Sequence, residues 1–216
     1  MMLPTHAFAG MVIALPYALA FPEFGPVALL AGFLGGVVPD LDLYAGHRKT
    51  LHYPVYYSGV ATLVVPIALL QPTLPAVVAA WFLIGAALHS VGDVFGGGLE
   101  LRPWEATSNR AVYDHHNRRW IAPRRWVRYD GAPEDLALSI TLAVPLVVAL
   151  EGALEWLVVA FLAIAVTYAT VRRILPAVAS RLIGDLVVPN VSSRVLAYVP
   201  TRYLDTNAER GSTRSR

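Results

Sequence analysis

Long apolar runs, interrupted at a few charged connections, set the pattern of this chain. Residues 5–22 and 24–39 form one apolar pair, parted by the turn Phe-Pro-Glu-Phe-Gly-Pro. Residues 53–88 carry no charged side chain and are too long for one crossing. Gln71-Pro72-Thr73 is the natural break, giving segments of about 55–70 and 74–92. A third pair, 136–150 and 155–171, is split around Glu151, Gly152 and Glu155. The pattern predicts an all-α, multi-span helical membrane protein with about six apolar helices in three hairpins. Each segment runs to about 15–18 residues, slightly under the ~20 that cross a bilayer perpendicularly. Backbone in lipid must satisfy its own hydrogen bonds, so helices are the default, and no alternating barrel pattern competes.

Pro16, Pro66 and Pro145 fall inside the first helix of each hairpin, where a kink is expected. Gly32 and Gly36 form a Gly-x-x-x-Gly pair that allows close helix contact. Residues 1–171 read as one helical membrane domain. Within it, the 93–135 connection is too long for a simple turn and fits a structured lid or a surface at headgroup level. The Arg-Arg-Trp repeats at 118–120 and 124–126 suit anchoring at the interface. Asp130-Gly-Ala-Pro-Glu-Asp135 reads as a helix start, with Pro133 in the first turn and two acids near the positive end of the dipole. Residues 172–216 form a basic amphipathic tail whose end is expected to be disordered. The N-terminal run lacks a basic leader segment and is read as a retained helix.

Composition sharpens the membrane reading. The chain is 56% hydrophobic and only 15% charged, whereas a soluble domain carries about a quarter charged residues. With no cysteine, disulfides, thiolate metal sites and cysteine nucleophiles are excluded. All 17 Lys and Arg fall in the 40–52 connection, the 93–135 connection or the tail after 171. The opposite turns carry only Glu23, Glu151 and Glu155. The positive-inside rule places the basic connections, and with them the N-terminus, in the cytoplasm of a multi-pass cell-membrane protein.

The ionisable groups gather at that same end. His6 enters the first helix; Asp40, Asp42, His47 and His52 follow the second; His89 and Asp93 end the fourth, spaced i, i+4 on one face. A histidine and a carboxylate closing an apolar helix are costly unless paired or coordinating. Imidazole and carboxylate without thiolate suit divalent metal, with zinc first and manganese or iron possible, and one to three ions could be held. His6, Asp40, Asp42, His47, His52, His89 and Asp93 are the metal-ligand candidates. Asp42, Arg48 and His52 are the catalytic candidates, Arg48 being placed to hold a phosphate oxygen. Asp114, His115 and His116 form a second tier, able to add a ligand or a proton shuttle.

The combination of His6, Pro39-Asp-Leu-Asp42, Gly46-His-Arg-Lys-Thr-Leu-His52 and His89-Ser-Val-Gly-Asp93 resembles the YdjM-like membrane-bound metal-dependent hydrolases. The resemblance covers residues 1 to about 105, and Leu51 stands where that family commonly has Thr. The family is thought to be related to zinc-dependent phospholipases C and P1-type nucleases. The resemblance therefore implies a helical hydrolase using metal-activated water on a phosphoester, with the seven residues above as ligands or close neighbours. A lipid or lipid-linked substrate and membrane lipids are the expected partners, and nucleic-acid binding through the Arg/Trp patch ranks below them. A non-catalytic scaffold with a structural ion is the alternative from another class. A transporter is disfavoured, since its ion site is expected nearer the midplane.

Overall fold

Proline marks where most of the helices begin. It sits in the first turn of α1 (Leu3–Ala20), α2 (Gly25–Val37), α3 (Pro54–Leu70), α4 (Leu74–Gly92) and α5 (Pro133–Ala149). Its fixed φ suits that turn, where the missing N–H would have had no helical partner. Among the long helices the exception is α6 (Ala153–Val171), which follows Gly152 at φ 66°. These elements belong to a computed structural model that describes residues 1–196; the end of the basic tail, residues 197–216, lies outside the described residues. Pro16, Pro66 and Pro145 lie inside α1, α3 and α5, and Glu134 and Asp135 fall in the first turn of α5.

The described chain is mostly helical. Four stretches are long and apolar enough to cross a membrane: Leu3–Ala20, Gly25–Asp42, Leu74–Phe95 and Ala153–Val171. The outer surface agrees with that reading. Leu63 and Ile67 on α3, Val148 on α5, and Trp156 and Ile164 on α6 are all exposed. Large apolar side chains spread over the outside of a bundle suit hydrocarbon rather than water.

Helices α1, α2 and α4 form the centre, with α5 and α6 packed beside α1. Phe8, Met11, Leu29, Val77, Leu146 and Val158 belong to one buried cluster drawn from all five. The α1–α2 contact is a glycine seam: a Cβ on Gly10 or Gly32 would strike the carbonyl oxygen of the other. At Gly36 a Cβ would lie 2.8 Å from Ala7 Cα and collide with the His6 carbonyl. Backbones this close place the start of α1 directly against the end of α2.

The connection after α4 is folded. It contains a two-stranded antiparallel hairpin, β1 (Val112–Asp114) and β2 (Arg119–Ile121), in register Tyr113 opposite Trp120. This small sheet is an addition to the all-helical expectation. Val127 N–H donates to Phe95 O (3.1 Å) and the Trp126 ring lies tilted against Phe95, which ties the far end of the connection to the end of α4. Beyond α6, α7 (Leu175–Leu182) folds back over the bundle end and is followed by a short α8 (Ser193–Leu196).

Candidate metal centre

The start of α1 and the ends of α2 and α4 meet at one end of the bundle, and each delivers a polar group there. The α2 helix continues as a 3-10 turn, Val38–Asp42, which carries both aspartates of the Pro-Asp-Leu-Asp motif. α4 places His89 in its last turn, and Asp93 caps it. The loop between α2 and α3 supplies His47, Arg48 and His52. Gly46 (φ 87°) and Arg48 (φ 59°) both take the left-handed backbone there, which folds the loop back over the bundle.

Four of the candidates converge. One ligand atom each from Asp40, His52, His89 and Asp93 all lie within 4.8 Å of one another. His89 Nε2 is 3.4 Å from Asp40 Oδ1 and 3.6 Å from Asp93 Oδ2. His52 Nε2 is 3.8 Å and 3.5 Å from the same two oxygens. A tetrahedral ion with ligand bonds of about 2.0–2.2 Å requires ligand-to-ligand edges of about 3.3–3.6 Å. These four nitrogen-to-oxygen separations match that figure or exceed it slightly, and the remaining two edges are within 4.8 Å.

The other nitrogen of each imidazole is already committed. His89 Nδ1–H donates to the Gly36 carbonyl (2.6 Å), and a carbonyl can only accept, so in the neutral ring Nε2 carries the lone pair. His52 Nδ1 bonds Asp42 Oδ2 at 3.0 Å. Both Nε2 atoms are buried without a hydrogen-bond partner. Two orphaned imidazole nitrogens facing two carboxylates are costly as they stand, and a divalent cation satisfies all four. The residues present therefore fit a metal ion.

The remaining candidates surround these four. Asp42 is 1% exposed and accepts from His52 Nδ1, His47 Nδ1 (3.0 Å), Arg48 N (3.2 Å) and Leu51 N (3.1 Å). Both its oxygens are thus engaged in holding the loop, and it orients His52. His6 Nε2 donates to Asp93 Oδ1 (3.0 Å), and its ring stacks on His89 at 3.8 Å. The Met1 amino group donates to the same Asp93 oxygen at 2.7 Å, which leaves Oδ2 for the centre. His47 Nδ1 is 4.0 Å from Asp40 Oδ1, at the rim of the group.

Arg48 is 6% exposed; Nη1 donates to Gly97 O (2.7 Å), while Nε lies 3.2 Å from Asp93 Oδ2 without hydrogen-bond alignment. Burial works against its charge, but Asp93 and Asp40 more than reverse this and raise its pKa. At His52, burial likewise opposes charge, and the hydrogen bond to Asp42 together with the nearby Asp93 carboxylate outweighs it, raising the pKa. A carboxylate field that favours a proton on His52 favours a cation in its place.

The second tier lies elsewhere. His115 Nε2–H donates to Lys49 O (2.7 Å) and its ring lies against Tyr53 at 4.5 Å, so it fastens the hairpin to the loop. His116 sits near Tyr56, and Asp114 accepts from the His116 and Asn117 backbone in the hairpin's own turn. None of the three joins the four converging residues.

Two features had no clear signal in the sequence. Asp135 is buried and accepts from Met2 N (2.7 Å), Thr5 Oγ1 (2.7 Å) and Gly131 N (3.0 Å), locking α5 to the start of α1. Asp40, His47 and Arg48 also border a cavity of about 660 Å3 that reaches α6 and α7, segments far away along the chain. Asp40 is the most open of the four converging residues, with 23% of its side chain exposed. No family model, curated protein or solved structure matches this chain.

Proposed function

We propose that the chain is an integral-membrane hydrolase that uses a divalent metal, zinc first, to cleave a phosphoester. The carrying observation is the pair of buried, unpartnered Nε2 atoms of His52 and His89 facing Asp40 and Asp93 at the edge of a cavity. Asp40, His52, His89 and Asp93 would hold the ion, which would supply the Lewis acidity that activates a water and polarises a phosphoryl oxygen. The resemblance of the motifs to YdjM-like hydrolases points the same way.

The surrounding residues divide the work. Asp42 fixes the tautomer and direction of His52, as His6 fixes Asp93. Arg48, a buried cation on the cavity wall, binds a phosphate oxygen and offsets charge that develops there. His47, held through Nδ1 by Asp42 and lining the same cavity, exchanges a proton at Nε2 with the leaving group. The exposure of Asp40 toward the cavity favours a reactive centre over a closed structural one. In the alternative reading, a scaffold, the same ion is structural.

In this reading α3 and α5 cross the bilayer with the other four long helices, making three hairpins, and the basic connections lie in the cytoplasm. One assay tests both reaction and sidedness. Membrane vesicles containing the protein are offered membrane-impermeant nitrophenyl phosphomonoesters and phosphodiesters. Inverted vesicles are expected to hydrolyse one class, intact cells are not, and the His52→Ala, Asp93→Ala variant falls to the uncatalysed rate. Equal hydrolysis by that variant, or none by any preparation, overturns the hydrolase reading.

A further inference from the structure

The cavity beside the metal group has a polarity of its own. About 660 Å3 lies within the range of roughly 300–1,000 Å3 usual for organic ligands. Its polar end is Asp40, His47 and Arg48, so it begins where the four ligand atoms converge. Away from that end the wall is mixed: Leu43, Leu99, Ile164, Val178 and Leu182 form an apolar strip, while Glu100 and the mutually bonded Asp130, Tyr168 and Arg172 add polar groups beside it. Ile164 stands seven residues before the end of α6, about 10 Å further into the span. Ile164, Val178 and Leu182 keep 44–51% of their surface exposed, so the described residues cover this side only in part. A cavity open on the lipid-facing flank of a span and ending at a buried cation matches an amphiphile entering sideways, chain outward and head inward.

Glu100 adds a specific demand. It borders the same cavity, and both of its carboxylate oxygens are buried without a hydrogen-bond partner. A buried carboxylate in that state is costly, and turning it into the cavity would let a donor on the occupant's head relieve it.

We propose that this cavity binds a membrane amphiphile with a phosphate head bearing a hydroxyl or ammonium donor, its phosphate at Arg48, its donor at Glu100 and one apolar chain along Ile164, Val178 and Leu182. The position of the phosphate rests on the hydrolase reading; the chain and donor positions rest on the cavity itself.

Binding, measured without turnover, separates the two. The purified full-length protein in detergent is titrated with a pyrene-tailed, glycerol-headed phosphonolipid, which resists cleavage. Saturable binding is expected, about tenfold weaker in Val178→Trp and Leu182→Trp, which fill the chain site from exposed positions. A pyrene-tailed diacylglycerol, lacking the phosphonate, is expected to bind about tenfold more weakly to the wild type. A phosphonolipid without the glycerol is expected to lose affinity in the wild type but not in Glu100→Leu. Metal content shows that the variants are folded, and Ile164→Trp replaces either tryptophan variant that loses metal. Wild-type affinity in the metal-bearing tryptophan variants overturns the proposal. Saturable lipid binding without any hydrolysis refutes the hydrolase reading and leaves the cavity assignment standing. Hydrolysis of soluble esters without saturable lipid binding does the reverse.

Discussion

Asp40 and Asp42 are two residues apart, yet they do different things. In a 3-10 turn, with about three residues per turn, positions i and i+2 point in different directions. Asp40 therefore faces His89 and the cavity, while Asp42 turns into the loop and grips His47, His52 and two backbone amides. Asp42→Asn keeps the shape but removes the charge that holds His52 by Nδ1. Metal affinity is expected to fall about 10–100-fold, read by competition with a chelating dye, with the fold retained. Unchanged affinity would remove Asp42 from the support of the centre. The motif spacing made the gathering of these groups legible, and the i, i+4 relation of His89 and Asp93 placed both on one face. It could not say which carboxylate of Pro-Asp-Leu-Asp faces inward, because that depends on the turn type at the end of α2. Nor could it foresee that His6 reaches the centre by way of Asp93, since that depends on how far α1 sinks against α2.

At the scale of elements, Gly36 links packing to chemistry. Its missing side chain lets α2 touch the backbone of α1 at His6 and Ala7, and its carbonyl fixes the tautomer of His89. Gly36→Ala forces these backbones apart; an overpacked contact of this kind costs about 1–3 kcal/mol. A lower unfolding midpoint is expected together with weaker metal binding, because His6 and His89 both shift. Wild-type stability and metal content in Gly36→Ala would contradict the seam's role. The Gly32/Gly36 spacing and the helix boundaries were readable because charge, proline and apolar runs punctuate the chain so sharply. The hairpin at 112–121 was not. Its strands are three residues each, too short for a period of two to stand out, and they are fixed by Tyr113 N–H donating to Arg48 O at 3.0 Å.

Across the whole molecule, one end of an apolar bundle collects nearly every buried ionisable group. Four spans long enough for a membrane support it, and α7 bends back to wall a cavity against it. That cavity was invisible in the sequence because it joins Met1–Pro4, the loop after α2, the segment after α4 and residues 164–182, which meet only in three dimensions. The metal centre is the claim on which the rest depends. Its most direct test is elemental analysis of the protein purified without added chelator. Close to one equivalent of divalent metal per chain is expected from the one four-residue group found among the described residues, falling to background in the folded His52→Ala, Asp93→Ala variant. Metal at background level in the wild type, or metal retained in full by that variant, would contradict the account.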